Sequence, residues 1–371
     1  MIDNMLNYAD DLGPLKIIHV HEPSVGLQGI VVIDNIAIGP SIGGMRMAED
    51  VSTEECFRLA RTMTFKNAAA GLPHGGGKSV FHGDPAMPKQ DKERRIRAFA
   101  CALRDTVEYI FGPDMGTDEE CMAWIHDEIG RATGLPRELG GIPLDEIGAT
   151  GWGVRHATEV ALEFCNLGIK GTRMVIQGFG AVGMHAAKFL GEQGANLVGV
   201  ADSRGSIANP KGIDIDALIG LVKSGKSVIE YEDGEKQNQD ALIDIECEIW
   251  IPAARPDVVH KGNVERLKTR LISPGANIAV TDEAERFLNN KGIICLPDFI
   301  ANAGGVICAA MEWQGASEIV AMQTVKEKVR HNTRRVLEDS RADHCTPREA
   351  ALKLAEQRVR AAMRHRRWSA F

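Results

Sequence analysis

Residues 174–202 read MVIQGFGAVGMHAAKFLGEQGANLVGVAD. An apolar β-branched run, glycines spaced GxGxxG, an amphipathic stretch and a second apolar run follow in the order strand, turn, helix, strand. That order is a βαβ unit with parallel strands and a right-handed crossover. Gly178 permits the tight turn, Gly180 lets backbone approach a pyrophosphate, and Gly183 lets helix pack on strand. Phe179, Ala181 and Val182 complete the loop. The helix that starts there offers free N–H groups and a positive dipole end to an anion. Asp202 closes the second strand, where a carboxylate accepts from adenosine ribose hydroxyls and repels a 2′-phosphate. The expectation is a Rossmann domain that takes NAD in preference to NADP. Arg204, next to Ser203, softens that preference.

Outward from this core, a helix over roughly 152–168 precedes the first strand. The apolar runs CEIWIPAA, RLISPGAN and GIICLPDF read as further short buried strands. EYEDGEKQNQD reads as a polar surface excursion. The last 45 residues or so are charged and helix-prone, ending in the basic VRAAMRHRRW. Before residue 145, GLQGIVVIDN contains a strand and STEECFRLARTMTFKNAAAG an amphipathic helix. LPHGGGKSVFHGDP reads as mostly loop with a brief strand at SVF. KQDKERRIRAFACALRDTVEYI is a second helix. The fold class is α/β.

Composition bounds the rest. The 371 residues suggest two or three domains, and 44% hydrophobic with 25% charged residues describes a globular chain. A net charge of −8 argues against a general nucleic-acid binder. No run approaches the roughly 18 apolar residues of a membrane helix, and the acidic start lacks a signal peptide's basic n-region. The 8 cysteines are scattered without a CxxC pair, which fits free thiols in a reducing cytoplasm. His19 and His21 share a strand face but lack an evident third ligand, so no metal is expected. Gly75-Gly76-Gly77-Lys78-Ser79 is not a P-loop: Leu72 stands where the first glycine is required, and a helix leads in.

Lys66 lies in an apolar helix stretch, Lys78 follows three glycines, and Asp114 sits in the turn FGPDMGTDE. A partly desolvated lysine loses its proton near neutrality and becomes a general base, and a second lysine can hold a carboxylate. By residue type alone these three read equally as surface charges beside turns.

The strings GPSIGGMRM, RTMTFKNAAAGLPHGGGKSVFHGDP, GPDMGTDEE, ATGWGV, VIQGFGAVG, PGAN and LPDFIANAGGVICAAMEWQ occur in one order between about Leu27 and Gln314. Together they resemble the glutamate/leucine/phenylalanine/valine dehydrogenase family. The resemblance implies two domains with a cleft between them: substrate-binding over 1–147, Rossmann over 148–344, and a C-terminal helix within 345–371 returning to the first. It implies that Lys66 binds the substrate α-carboxylate, Lys78 activates water, and Asp114 transfers protons at the substrate nitrogen. Thr150 would contact the nicotinamide carboxamide. Asn277 and Ala253 would line the cofactor side, and Asn302 would hold substrate near the point of hydride transfer. The reaction implied is reversible oxidative deamination of an L-amino acid to a 2-oxo acid and ammonia, in a homo-oligomer of six or eight subunits.

Side-chain specificity rests on a few positions. Glutamate members carry lysine where Ile42 stands and serine where Ala309 stands. Both polar partners are replaced here, which would leave a γ-carboxylate buried without compensation. Ile42, Val306 and Ala309, with Gly44 and Gly112 leaving room, describe an apolar pocket. The expectation is therefore a branched-chain or aromatic amino acid. The alternatives are a glutamate dehydrogenase or a non-catalytic dinucleotide-binding regulator.

Overall fold

A computed structural model describes residues 8–365, so the basic tail beyond them and the first seven residues of the acidic start lie outside the described residues. The chain forms two compact units. The first runs to Pro143 and also takes Val306–Ala321 and the chain from Leu352 on; the second comprises Leu144–Gly305 and Met322–Ala351. The segment 306–321 thus falls in the first unit, whereas the sequence expectation placed it within 148–344.

In the first unit β1 (Lys16–Glu22), β2 (Leu27–Asn35), β3 (Ser41–Ala48), β4 (Gly75–His82) and β5 (Tyr109–Pro113) form one mixed sheet in the order β1-β2-β4-β3-β5. Helices α1 (Thr53–Ala69), α2 (Lys89–Ala102) and α3 (Glu119–Ile129) cover it. Strand alternation sorts the side chains. Leu27, Val31, Ile33, Met45, Met47, Phe81, Tyr109 and Phe111 join Ile96 and Phe99 of α2 and Met122 of α3 in one core. Val32 and Val80 face the other way, onto Cys56 and Ala60 of α1.

The expectation that GGGK is loop is corrected: its glycines are buried within β4. A Cβ at Gly76 would lie 2.0 Å from the Thr64 backbone nitrogen of α1, and one at Gly75 1.9 Å from the Asn35 carbonyl. The glycines let helix and neighbouring strand close onto β4, so their role is backbone contact rather than flexibility.

The second unit is built around α4 (Ala149–Phe164), β6 (Arg173–Gln177), α5 (Ala181–Gly191), β7 (Asn196–Asp202), β8 (Gly205–Ala208), α6 (Ile215–Lys223), β9 (Glu235–Gln237), β10 (Ile249–Pro252), β11 (Leu271–Ile272), α7 (Asp282–Asn290), β12 (Ile294–Cys295) and α8 (Asp298–Ala301). The sheet order is β12-β11-β10-β6-β7-β8-β9. Strands β6, β7, β10, β11 and β12 are parallel, with β8 and β9 added antiparallel at one edge. Helix α4 starts at residue 149 and ends at 164, earlier than expected: Gly148 enters it left-handed and Asn166, at φ 55°, turns the chain out. The polar stretch read as a surface excursion includes the edge strand β9. Three further helices, α9 (Gly304–Trp313), α10 (Glu318–Asp343) and α11 (Pro347–Met363), complete the chain. Arg358 of α11 donates to the carbonyls of Ala68 and Ala69, at 3.0 and 2.7 Å, and so caps the C-terminus of α1.

Candidate active site

In the first unit the pleat decides which side chains can meet. Met45, Met47, Tyr109 and Phe111 point into the α2–α3 core, so Ile42, Gly44, Arg46 and Gly112 share the α1 face with Lys78. Register pairs Gly44 with Gly112. Asp114, just past β5, turns back to the same face. A Cβ at Gly44 would stand 2.8 Å from the Asp114 Cβ, so the missing side chain is what admits the aspartate.

Lys78 Nζ donates to Asp114 Oδ2. Asp114 Oδ1 accepts from the Met115 N–H at 2.6 Å and lies 3.5 Å from Arg46 Nη2. Arg46 in turn donates to Glu55 at 2.6 Å. Thr117 holds the turn, accepting from the Asp114 N–H at 3.1 Å and donating to the Met45 carbonyl at 2.7 Å. Burial pulls the Lys78 ammonium down to about 7, with the Arg46 and Lys66 charges adding to the effect. Lys66, on the last turn of α1, is itself buried and close enough to be felt at Lys78. The structure therefore brings Lys66, Lys78 and Asp114 together. It adds Arg46, which was legible only as a member of GPSIGGMRM with no role. Val306 and Ala309 are half-buried on α9, three residues apart on one side of the helix, in the same unit.

In the second unit the strand order reverses between β6 and β10, and the residues named from sequence gather at the carboxyl ends there. Gly178 has φ 98°, and a Cβ on it would lie 2.8 Å from the Ala253 backbone. A Cβ on Gly183 would meet the Gly178 carbonyl at 1.9 Å, whereas one on Gly180 would meet nothing within 4 Å. Gly180 is also the N-cap of α5, with no side chain satisfying the free N–H groups. This is a cradle fitted to a pyrophosphate: closed where helix packs on strand, open where a ligand approaches. Val182 and Ala253 both border Gly275. Asn302 Nδ2 donates to Asn277 Oδ1 at 2.8 Å and to the Gly275 carbonyl at 3.3 Å. Thr150, in the first turn of α4, packs against Gly304 and Gly305.

Asp202 is more engaged than its expected role requires. Its Oδ2 accepts from Ser227 Oγ at 2.6 Å and the Val228 N–H at 2.9 Å, and its Oδ1 from the Arg204 N–H at 2.8 Å. Burial raises its pKa, but these donors outweigh burial and hold the carboxyl below the usual range. The Gly205 N–H also faces it, so its roughly four lone-pair directions are largely taken before a ribose hydroxyl arrives. Ser203 is exposed beside it, and the Arg204 guanidinium lies 3.4 Å from Glu230. Among the described residues no three histidine, cysteine or acidic side chains come together as metal ligands, and no helix is long and apolar enough to cross a membrane.

A Rossmann-type unit with this cradle, carried in one chain with a unit that seats a buried lysine on a carboxylate, defines a class, the dinucleotide-dependent oxidoreductases. Two family models extend that to most of the chain. Residues 140–367 match the Glutamate/Leucine/Phenylalanine/Valine dehydrogenase model, and residues 14–131 match the Glu/Leu/Phe/Val dehydrogenase dimerisation domain. The chain belongs to this family of amino-acid dehydrogenases, oxidoreductases acting on CH–NH2 donors that use a nicotinamide dinucleotide. It is 36% identical to a glutamate dehydrogenase of Aeropyrum pernix, over 90% of this chain and 85% of that one. It is 38% identical to an NADP-specific glutamate dehydrogenase of Saccharolobus shibatae, over 75% and 69% of the two chains. A solved structure described as hetero-hexameric glutamate dehydrogenase from Thermus thermophilus, Leu-bound form, matches with TM-score 0.85 and 28% identity, covering 96% of this chain and 91% of that one.

Proposed function

We propose that the chain catalyses reversible oxidative deamination of an L-amino acid, with Lys78 as the base. The observation that carries this reading is the buried Lys78, its ammonium lowered to about 7, in contact with Asp114. A nicotinamide dinucleotide, when bound, would supply the acceptor for the hydride of the substrate Cα. The glycine loop 178–183, Asp202, Ala253, Asn277 and Thr150 would hold it. Lys66 holds the substrate α-carboxylate as a point charge. Asp114 takes and returns protons at the substrate nitrogen. Neutral Lys78 removes a proton from the water that adds to the imine carbon, and the carbinolamine then collapses to 2-oxo acid and ammonia.

For the substrate side chain, the relatives named as glutamate dehydrogenases support glutamate better than the apolar amino acid expected from the sequence. One observation favours the second reading: Ile42 is buried on the face that carries Lys78, and neither it nor Ala309 can pair with a γ-carboxylate. The Asp202 charge favours NAD, while the NADP-specific relative supports the phosphorylated cofactor. An assembly of several subunits is supported by the match to a dimerisation-domain model and by the hexameric description of the Thermus structure.

The test is dinucleotide reduction at alkaline pH with glutamate, leucine, valine, phenylalanine and tryptophan, each with NAD and with NADP. Glutamate turnover supports the first substrate reading, and turnover of an apolar member without glutamate supports the second. Absence of turnover on every member, with the reduced dinucleotide still bound, would refute the catalytic reading.

A further inference from the structure

Glu312 lies on α9 one turn past Ala309 and two past Val306, on the flank of the helix that carries both. Its carboxylate is held by the backbone of one loop in the same unit. Oε1 accepts from the Gly134 N–H at 2.8 Å and the Leu135 N–H at 3.1 Å. Oε2 accepts from the Ile142 N–H at 2.9 Å. Burial keeps the carboxyl above its usual range, although the three N–H groups work to lower it.

The loop is shaped to present those donors. Gly134 has φ 73°, and a Cβ on it would lie 2.6 Å from Pro113 Cδ. A Cβ on Gly141 would meet the Leu135 carbonyl oxygen at 1.7 Å. The two glycines let the chain fold back on itself, and the Gly141 N–H closes the turn on the Pro136 carbonyl at 3.1 Å. Convergent backbone N–H groups of this kind make an anion-binding nest. Here the occupant is a side chain of the protein itself.

The start of the loop is tied to the strand that leads to Asp114. The Phe111 N–H donates to the Arg131 carbonyl at 3.1 Å, and the Thr133 N–H returns to the Phe111 carbonyl at 2.8 Å. A Cβ on Gly112 would lie 3.6 Å from Thr133 Oγ1, so the loop also backs that residue. A run of hydrogen bonds thus leads from β5 through residues 131–135 to Glu312. The buried contacts of α9, from Ile307, Cys308 and Ala310, are apolar and non-directional. Charge-assisted hydrogen bonds are directional, so they fix the rise and rotation of a helix where apolar packing alone is tolerant.

We infer that Glu312 is a positioning residue: it pins α9 to β5 through the 134–142 loop and so sets where Val306 and Ala309 stand relative to Gly112. This rests on the reading of those three residues as walls of the substrate side-chain pocket. It adds the group that holds the wall, one whose own oxygens are taken up by backbone.

Steady-state kinetics of Glu312→Gln and Glu312→Ala test it, with the panel amino acid that wild type turns over fastest and its homologue one methylene shorter. Gln keeps an acceptor for Gly134 and Leu135 but turns a donor toward the Ile142 N–H, and Ala keeps nothing. A loosened wall lowers the fraction of chains competent to bind. The amino-acid KM should therefore rise about fivefold in Gln, the size of one net hydrogen bond, and further in Ala. The preference for the longer homologue should narrow about threefold or more. The dinucleotide KM should stay within about twofold of wild type, because the change is confined to the amino-acid side. A merely structural role would lower the active fraction and leave both KM values and the preference where they were. That result in Glu312→Gln would overturn the inference, and because Gln is isosteric the test stands even where Glu312→Ala fails to fold. Absence of turnover in wild type is a different result, one that removes the catalytic reading and this inference with it.

Discussion

The Lys78 pKa makes a quantitative claim about rate. A base must be neutral to take a proton from water, so oxidative deamination should rise with pH through the Lys78 transition and level off above it. With the ammonium lowered from 10.5 to about 7, about nine-tenths of the lysine is neutral at pH 8. An unperturbed lysine would be about 0.3% neutral there. Burial and the neighbouring cations thus raise the neutral fraction on the order of a hundredfold. The assay is kcat/KM for deamination from pH 5.5 to 9.5. The expected profile falls tenfold per pH unit below about 7. Arg46→Met, which removes the cation second only to burial, should move that limb toward higher pH. Lys78→Arg should lose on the order of a hundredfold or more at every pH, because a guanidinium does not deprotonate. A limb near 10 in wild type, or full activity in Lys78→Ala, would refute the reasoning.

Two further outcomes follow from buried charge. Arg348 donates to Glu285 at 2.8 and 2.7 Å and to Asp298 at 2.7 Å, and all three are largely buried. Arg348→Met should cost about 3–5 kcal/mol by leaving two carboxylates without their cation. Burial already pushes the Glu285 carboxyl up from 4.5 to about 7, so wild-type stability should decline as pH rises through that window, where the native state holds the extra proton. The variant should decline further and to higher pH, which urea unfolding at pH 6 and pH 8 would measure; equal loss at both would count against the cluster as the cause. For specificity, Ile42→Lys with Ala309→Ser should raise kcat/KM for glutamate relative to leucine at least tenfold. An unchanged ratio would show that neither position faces the substrate side chain.

Some of this chemistry was legible before any coordinates. The GxGxxG loop, its flanking strands and Asp202 announce a dinucleotide-binding βαβ unit, because turn geometry and hydrophobic period are local properties written within about thirty residues. The ordered motif strings pointed to the family, and with it to Lys66, Lys78 and Asp114. What local reading missed depends on partners distant in the chain. GGGK looks like loop because glycine is a turn residue, yet its glycines are strand because Thr64 and Asn35 press against them from other elements. Arg46 gained a role only when strand register and pleat put it on the face of Lys78 and Asp114. The edge strand β9 was hidden in a polar stretch, since an exposed edge needs no apolar alternation.

The sequence by itself therefore determined the fold class and the cofactor-binding element, and through the family resemblance it nominated Lys66, Lys78 and Asp114. Tertiary structure alone decided how those residues behave. Lysine is an ordinary cation in water, and only burial beside Arg46 and Lys66 makes Lys78 a base near neutrality. Asp202 is nominally a free carboxylate, and only the folding-in of Ser227 and Val228 fills most of its acceptor capacity. Trp250 looks like plain core in a run of apolar residues, and only the packed fold shows that its N–H is buried without a partner in the protein. Each of these is a property of the electric and hydrogen-bonding environment. That environment is assembled from residues tens of positions apart and is not carried by any one stretch of chain.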